Sequence, residues 1–144
     1  MRTGFNPEAI DEHGNVRKTA IPSEHLKKSG FSVDRKKYAS AAIIRERVAA
    51  QKANPNVQGR AEEFIYELLT QVVRHEMLDA NSERINIVLD TAREDNRAHA
   101  SIYTFYRSPS EIKQLKDMLE PFLRRYVPLE KYLQEHLEVS NAAQ

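Results

Sequence analysis

The sequence predicts an α+β fold, with a small, mainly antiparallel sheet and helices packed on one of its faces. Three observations carry that prediction. Residues 85–90 and 98–106 each alternate in side-chain character over the length of a strand. Ser108-Pro109-Ser110-Glu111 has the residues of a helix start, with a cap, a proline at the first helical position and a capping-box glutamate. Residues 60–79 place Ala61, Phe64, Ile65, Leu68, Leu69 and Val72 on one side of a helix, at i, i+3, i+4 and i+7 spacing. The resulting order β, β, α, α, β, β, α, α groups strands and helices in the manner of α+β domains.

Taken in order, residues 1–14 are polar, with Gly4, Pro7 and Gly14, and read as a flexible N-terminal arm. Residues 15–138 form a single domain, and residues 139–144 are expected to fray. Residues 15–21 read as a short strand that Pro22 ends, because proline cannot donate to a ladder. Residues 22–30 are a turn, and Phe31, Ser32, Val33 and Asp34 a second strand. Residues 39–53 are alanine-rich and helical, with Ile43, Ile44 and Val48 on one side and Ser40 or Asp34 as the cap. Asn54, Pro55 and Asn56 break that helix.

Residues 60–79 are expected to be the main core helix. The two alternating runs then make a hairpin with a wide tip at 91–97, which has no glycine. After the capped start, Ile112, Leu115, Leu119, Phe122, Leu123 and Tyr126 share a helix face, and Pro121 lies on the opposite side as the point of a bend. Residues 129–138 add a short helix after Val127-Pro128.

Composition narrows the function classes. The 144 residues amount to about one domain, 40% apolar and 30% charged, which suits a folded domain with polar ends. The absence of cysteine removes thiolate catalysis, disulfides and cysteine metal sites, and fits a reducing compartment. No apolar run nears the ~20 residues of a membrane helix, and residues 1–10 have no signal-peptide core. The expectation is a soluble cytoplasmic protein with no membrane role. Net charge is +1, but residues 1–60 hold 12 Lys/Arg against 6 Asp/Glu, and residues 61–144 hold 10 against 15. That split describes either an anion-binding face or two halves that neutralise each other on folding.

The candidate site centres on the hairpin tip. His99 is the histidine closest to it, on a strand face with Ser101, Tyr103 and Phe105, and imidazole exchanges protons near neutral pH. Arg93 or Arg97 would hold an anionic group and Asn96 would orient it. A sheet-face histidine bonded to a backbone group at the tip accounts for the same residue without chemistry. His75 sits at the edge of an apolar helix face and has no metal-ligand partner at i+4. His13, His25 and His136 have no partner at diagnostic spacing, so neither a metal nor a cofactor is expected. Arg17, Lys18, Lys27, Lys28, Lys36 and Lys37 form a basic surface, fit for nucleic acid through counterion release or for an acidic protein. No phosphate loop or serine elbow is present.

Two segments, Gly30-Phe31-Ser32-Val33-Asp34-Arg35 and Asp95-Asn96-Arg97-Ala98-His99-Ala100, resemble a pattern found in a family of small bacterial proteins of unassigned activity. The resemblance covers a small part of the chain. It implies that Ser32, Arg35, Asn96 and His99 belong to one shared site. Three functions follow as expectations. The first is a binding or regulatory module that recognises a protein partner or an anionic ligand through the basic half and the 91–99 loop. The second is a small enzyme acting on a nucleotide or nucleic-acid phosphate, with His99 as acid/base and Arg35, Arg93 or Arg97 as anion clamp. The third is a structural subunit of an oligomer.

Overall fold

A computed structural model describes residues 1–5, 7–56 and 63–138. The fold is α+β, built on two three-stranded antiparallel sheets rather than the one expected. The first sheet has the order β1-β3-β6, from Arg2–Gly4, Phe64–Tyr66 and Val127–Pro128. The second has the order β2-β5-β4, from Phe31–Asp34, His99–Thr104 and Asn86–Asp90. Among the described residues three α-helices accompany them: α1 (Ala41–Lys52), α2 (Pro109–Leu119) and α3 (Leu129–Leu133), the last running on through a π-helical turn at Gln134–Glu138.

The largest correction concerns residues 60–79. Phe64, Ile65 and Tyr66 form the central strand of the first sheet, not a helix, and all three are buried. β3 pairs with β1 on one side and β6 on the other, so both of its faces lie inside the protein. A strand buried on both faces is a continuous apolar run, which periodicity cannot tell from a helix. Aromatic and β-branched side chains suit the pleated, enclosed position. Only a π-helical turn at Val72–Glu76 remains of the expected helix. The start of that helix, Arg60 to Glu62, lies outside the described residues, as do 139–144, where fraying was expected.

The N-terminal segment is also corrected. Rather than a free arm, Arg2, Thr3 and Gly4 pair with Tyr66, Ile65 and Phe64. The expected strand at 15–21 is instead two isolated bridges, Ile10 to Val16 and Asn15 to Arg125, followed by a 3-10 turn at Lys18–Ala20.

Other elements follow their local chemistry. In α1, Ala41, Ile44 and Val48 are buried at i, i+3 and i+7. Ser40 stands at its N-cap without a side-chain hydrogen bond, and Asp34 is used elsewhere. Ser108 accepts from the Glu111 N–H while the Glu111 carboxylate accepts from the Ser108 N–H, the reciprocal capping box. The face of α2 with Ile112, Leu115 and Leu119 is buried. Pro121 ends the α-helix rather than bending it: α2 stops at Leu119 and a 3-10 turn, Glu120–Phe122, follows.

Two apolar clusters result. One joins Phe31 and Ile102 of the second sheet to Phe64 and Tyr66 of the first, with Ile112, Leu115 and Leu119 of α2 packed in. The other joins α1 and α3 through Ile44, Val48, Leu129 and Leu133 against Ile65.

Candidate functional site

The second sheet positions the site. In its register Ser32 faces Ser101 and Asp34 faces His99, while Phe31 faces Ile102 and Val33 faces Ala100. Directly paired residues share a face, so one face carries Ser32, Asp34, His99 and Ser101 and the other Phe31, Val33, Ala100 and Ile102. The two segments of the resemblance are therefore hydrogen-bonded neighbours. β5 is the central strand, and His99, Ala100, Ser101 and Ile102 are all buried.

The tip closes compactly over the polar face. Arg93 and Asn96 exchange backbone hydrogen bonds of 3.1 Å each, and the Asn96 carbonyl accepts from the His99 N–H. The buried Asn96 side chain accepts from the Ala98 N–H and donates to the Asp34 carboxylate at 2.8 Å. Arg47 of α1 donates to the same Asp34 oxygen at 2.8 Å. Asp34, 6% exposed, thus ties the tip, β2 and α1 together. A carboxylate so enclosed needs such partners.

His99 is held through one ring nitrogen. Its Nδ1 lies 2.7 Å from Thr91 Oγ1 and 3.1 Å from the Thr91 carbonyl oxygen. A carbonyl only accepts, so Nδ1 carries the proton and Nε2 is the basic nitrogen of the neutral ring. Thr91 Oγ1 is also 3.1 Å from Ser101 Oγ, which extends the chain one residue further along the face.

These groups line a polar cavity of about 660 Å³ between the sheet face, the tip, α1 and the π-helical turn at His25–Ser29. Arg2, His25, Ser32, Arg47, Arg93 and Tyr103 also stand in its wall. Gly30 lies against the Tyr103 ring with φ +79°, and a Cβ there would come within 2.9 Å of the ring. Its conformation is one that glycine adopts without penalty. Arg2 is half-buried, and desolvation, partly offset by the nearby Asp34 charge, pulls its pKa below the usual arginine value. Its guanidinium stacks 4.3 Å from the Phe31 ring centre and donates to the Ser32 carbonyl. Among the described residues no carboxylate forms an ion pair with it. The His25 pKa is also lowered, first by desolvation and then by the Arg2 charge.

The arrangement sorts the residues singled out from the sequence. Ser32, Arg93, Asn96 and His99 line one cavity. Arg35 does not join them: it bonds Asp90 Oδ2 at 2.6 Å and the Arg97 carbonyl at 2.7 Å, and lines a separate, apolar cavity. The clamp of Arg35 with His99 thus has no common cleft. The contribution of Arg97 to this cluster is its backbone carbonyl. Arg2, Arg47, Asp34 and His25 were missed. Arg2 lies in a segment expected to be an arm, and Arg47 carries no local signal in the sequence of its helix.

The basic surface is largely answered within the chain. Lys18 pairs with Asp117, Lys36 with Glu67 at 3.2 Å, and Lys28 with Glu24 at 3.1 Å. Arg45 pairs with both Glu130 and Glu138, and Lys52 with Glu63. Most of these pairs join the basic half to the acidic half. Among the described residues, no group of three or more His, Asp or Glu side chains is arranged to hold a metal ion, and no helix is long and apolar enough to cross a membrane.

Comparison with known proteins adds no relative: no protein-family model, no curated protein and no solved structure matches this chain.

Proposed function

We propose that the chain is a binding module for a small ligand bearing an oxyanion, a phosphate or carboxylate, taken up in the polar cavity beside His99. The observation that carries this reading is Arg2. A guanidinium has five N–H donors, and this half-buried one has one carbonyl acceptor and the Phe31 ring, with the Asp34 charge nearby but no carboxylate in ion-pair contact among the described residues. A desolvated cation of this kind is costly unless an anion joins it. Arg93 and the Asn96 amide stand on the same cavity wall, and the positive Arg47 is already answered by Asp34. The internal pairing of the basic half favours a small anion over a nucleic-acid or acidic-protein surface. A reducing compartment such as the cytoplasm suits the cysteine-free composition.

The test is calorimetric titration with inorganic phosphate and with a nucleoside monophosphate, at low and at moderate salt. Saturable binding is expected, with Arg2→Met weakening it by about tenfold or more, the scale of one lost charge-assisted hydrogen bond. Absence of saturable binding by either ligand would overturn the reading.

One observation favours a second reading, an enzyme acting on a phosphate ester. The Thr91 anchor on His99 Nδ1 leaves Nε2 as a general base. In that case His99→Gln abolishes hydrolysis of a nitrophenyl phosphate ester while phosphate binding persists. No hydrolysis by the native chain would leave the binding module alone.

A further inference from the structure

The opposite face of the same sheet carries a second cavity of about 390 Å³, separate in character from the polar one. Its floor is Val33, Val88, Ala100 and Ile102, the apolar side chains of β2, β4 and β5. The segment from Tyr66 to Val73 forms the far wall. Protein interiors are packed to crystal-like density with few voids larger than a water molecule. A space of this size falls instead at the lower end of ligand pockets, ~300–1,000 Å³. Ala100, in the middle of the central strand, contributes only a methyl group to the floor, and residues 67–69 of the opposite wall are outside any helix or strand.

The open side is marked by two exposed apolar side chains and a cation. Tyr38 is 53% and Leu69 47% exposed at this mouth. Four basic side chains line it: Arg2 stacks on Phe31 and donates to the Ser32 carbonyl, Arg35 is paired with Asp90 and Lys36 with Glu67. Lys37 is exposed at the mouth: its Nζ lies 5.6 Å from the Tyr38 ring centre, and among the described residues no carboxylate pairs with it. An apolar chamber with an uncompensated ammonium at its mouth is complementary to a molecule with an apolar body and an anionic head.

We propose that this cavity is a binding site for an amphipathic monoanion, a medium-chain acyl or aryl carboxylate, its apolar part over Ala100 and its carboxylate at Lys37. The carboxylate position at Lys37 is distinct from the anion position beside His99, although Arg2, Val33 and Asp34 line both cavities.

Octanoate and octanol, titrated into the native chain, separate the two components of recognition. Both bind saturably, octanoate the more tightly. Lys37→Glu, a surface change that leaves the fold intact, weakens octanoate about fivefold, the scale of an exposed ion pair lost and reversed, and leaves octanol unchanged. Ala100→Leu fills the chamber and abolishes binding of both, with circular dichroism and thermal melting showing that the variant is folded. The proposal is overturned if neither probe binds the native chain saturably, or if Lys37→Glu leaves octanoate affinity unchanged.

Discussion

The two faces of the β2-β5-β4 sheet are built from the same three strands and solve opposite problems. On one, Asp34, His99 and Ser101 are buried polar groups whose hydrogen bonds are met by Arg47, Asn96 and Thr91. On the other, the buried Ala100 and Ile102 and the half-buried Val33 are apolar groups that either join the core or line a chamber. Alternation along β5 assigns each residue to its face. The difference shows that burial alone does not define a core here. The central strand is enclosed on both sides, yet only the apolar side owes its stability to area removed from water. The polar side is held by geometry, where each group depends on a named partner.

Truncating one residue on each face breaks the comparison most sharply. Ile102→Ala removes a buried β-branched side chain from the main cluster and should cost about 3 kcal/mol, the usual range for such a deletion. Phosphate affinity should stay within about twofold of the native chain, because Ile102 points away from the polar cavity. Asp34→Ala should cost about 2 kcal/mol, since Arg47 and Asn96 each lose an acceptor, and it should also change phosphate affinity by freeing the Arg47 charge. Urea unfolding and calorimetry on the two variants test this directly. If Ile102→Ala alters phosphate binding as much as Asp34→Ala does, the faces are not independent.

The legibility of the sequence divides along the same line. Phe31–Asp34, the two hairpin strands and the α2 capping box were readable because their signals are local: alternation, turn residues and a cap. The shared location of Ser32, Asn96 and His99 is an implication of the resemblance, which the reading of both segments as strands makes physically possible. Arg35 was misplaced by the same alternation: beyond β2 it continues the Phe31 and Val33 face, opposite His99, and bonds to Asp90 and the tip carbonyls. The 60–79 region failed for a tertiary reason, because Phe64, Ile65 and Tyr66 take their conformation from β1 and β6, both distant in sequence. Arg2 could not be found at all, since its role depends on that pairing. In β4 the burial sense also departs from hydrophobicity: Leu89 is 46% exposed while Asn86 is 1% exposed.

Asn86 offers a smaller effect on the apolar side. Among the described residues neither amide atom has a hydrogen-bond partner, although Thr104 lies directly opposite. An amide buried in this way carries an unrecovered desolvation cost of ~1–3 kcal/mol. Asn86→Leu, of similar shape, is expected to raise stability by about 1 kcal/mol in urea unfolding. A loss of stability would mean that the apolar face also relies on a polar contact, and the contrast between the faces would narrow.

The smallest effect is on protonation, and it belongs to the polar side. His25 has a pKa below the usual 6.5, first because its surroundings desolvate it and second because Arg2 is nearby. Arg2→Met removes the second cause and keeps the first. The pKa should therefore rise part of the way back, which NMR titration of the ring protons reads directly. The sign for stability follows from the proton balance. A histidine whose folded pKa lies below its unfolded value binds protons more readily when the chain is unfolded, so acid favours unfolding. In the native chain this contribution to stability is lost as pH falls through 6.5 towards the lower folded value. It has no effect well above that range. Arg2→Met should make the pH dependence of stability shallower across that window, while phosphate bound to the native chain should raise the His25 pKa in the same direction. If the His25 pKa moves with neither the substitution nor the ligand, then Arg2 does not set the potential of this cavity, and the polar face would be structural in the same sense as the apolar one.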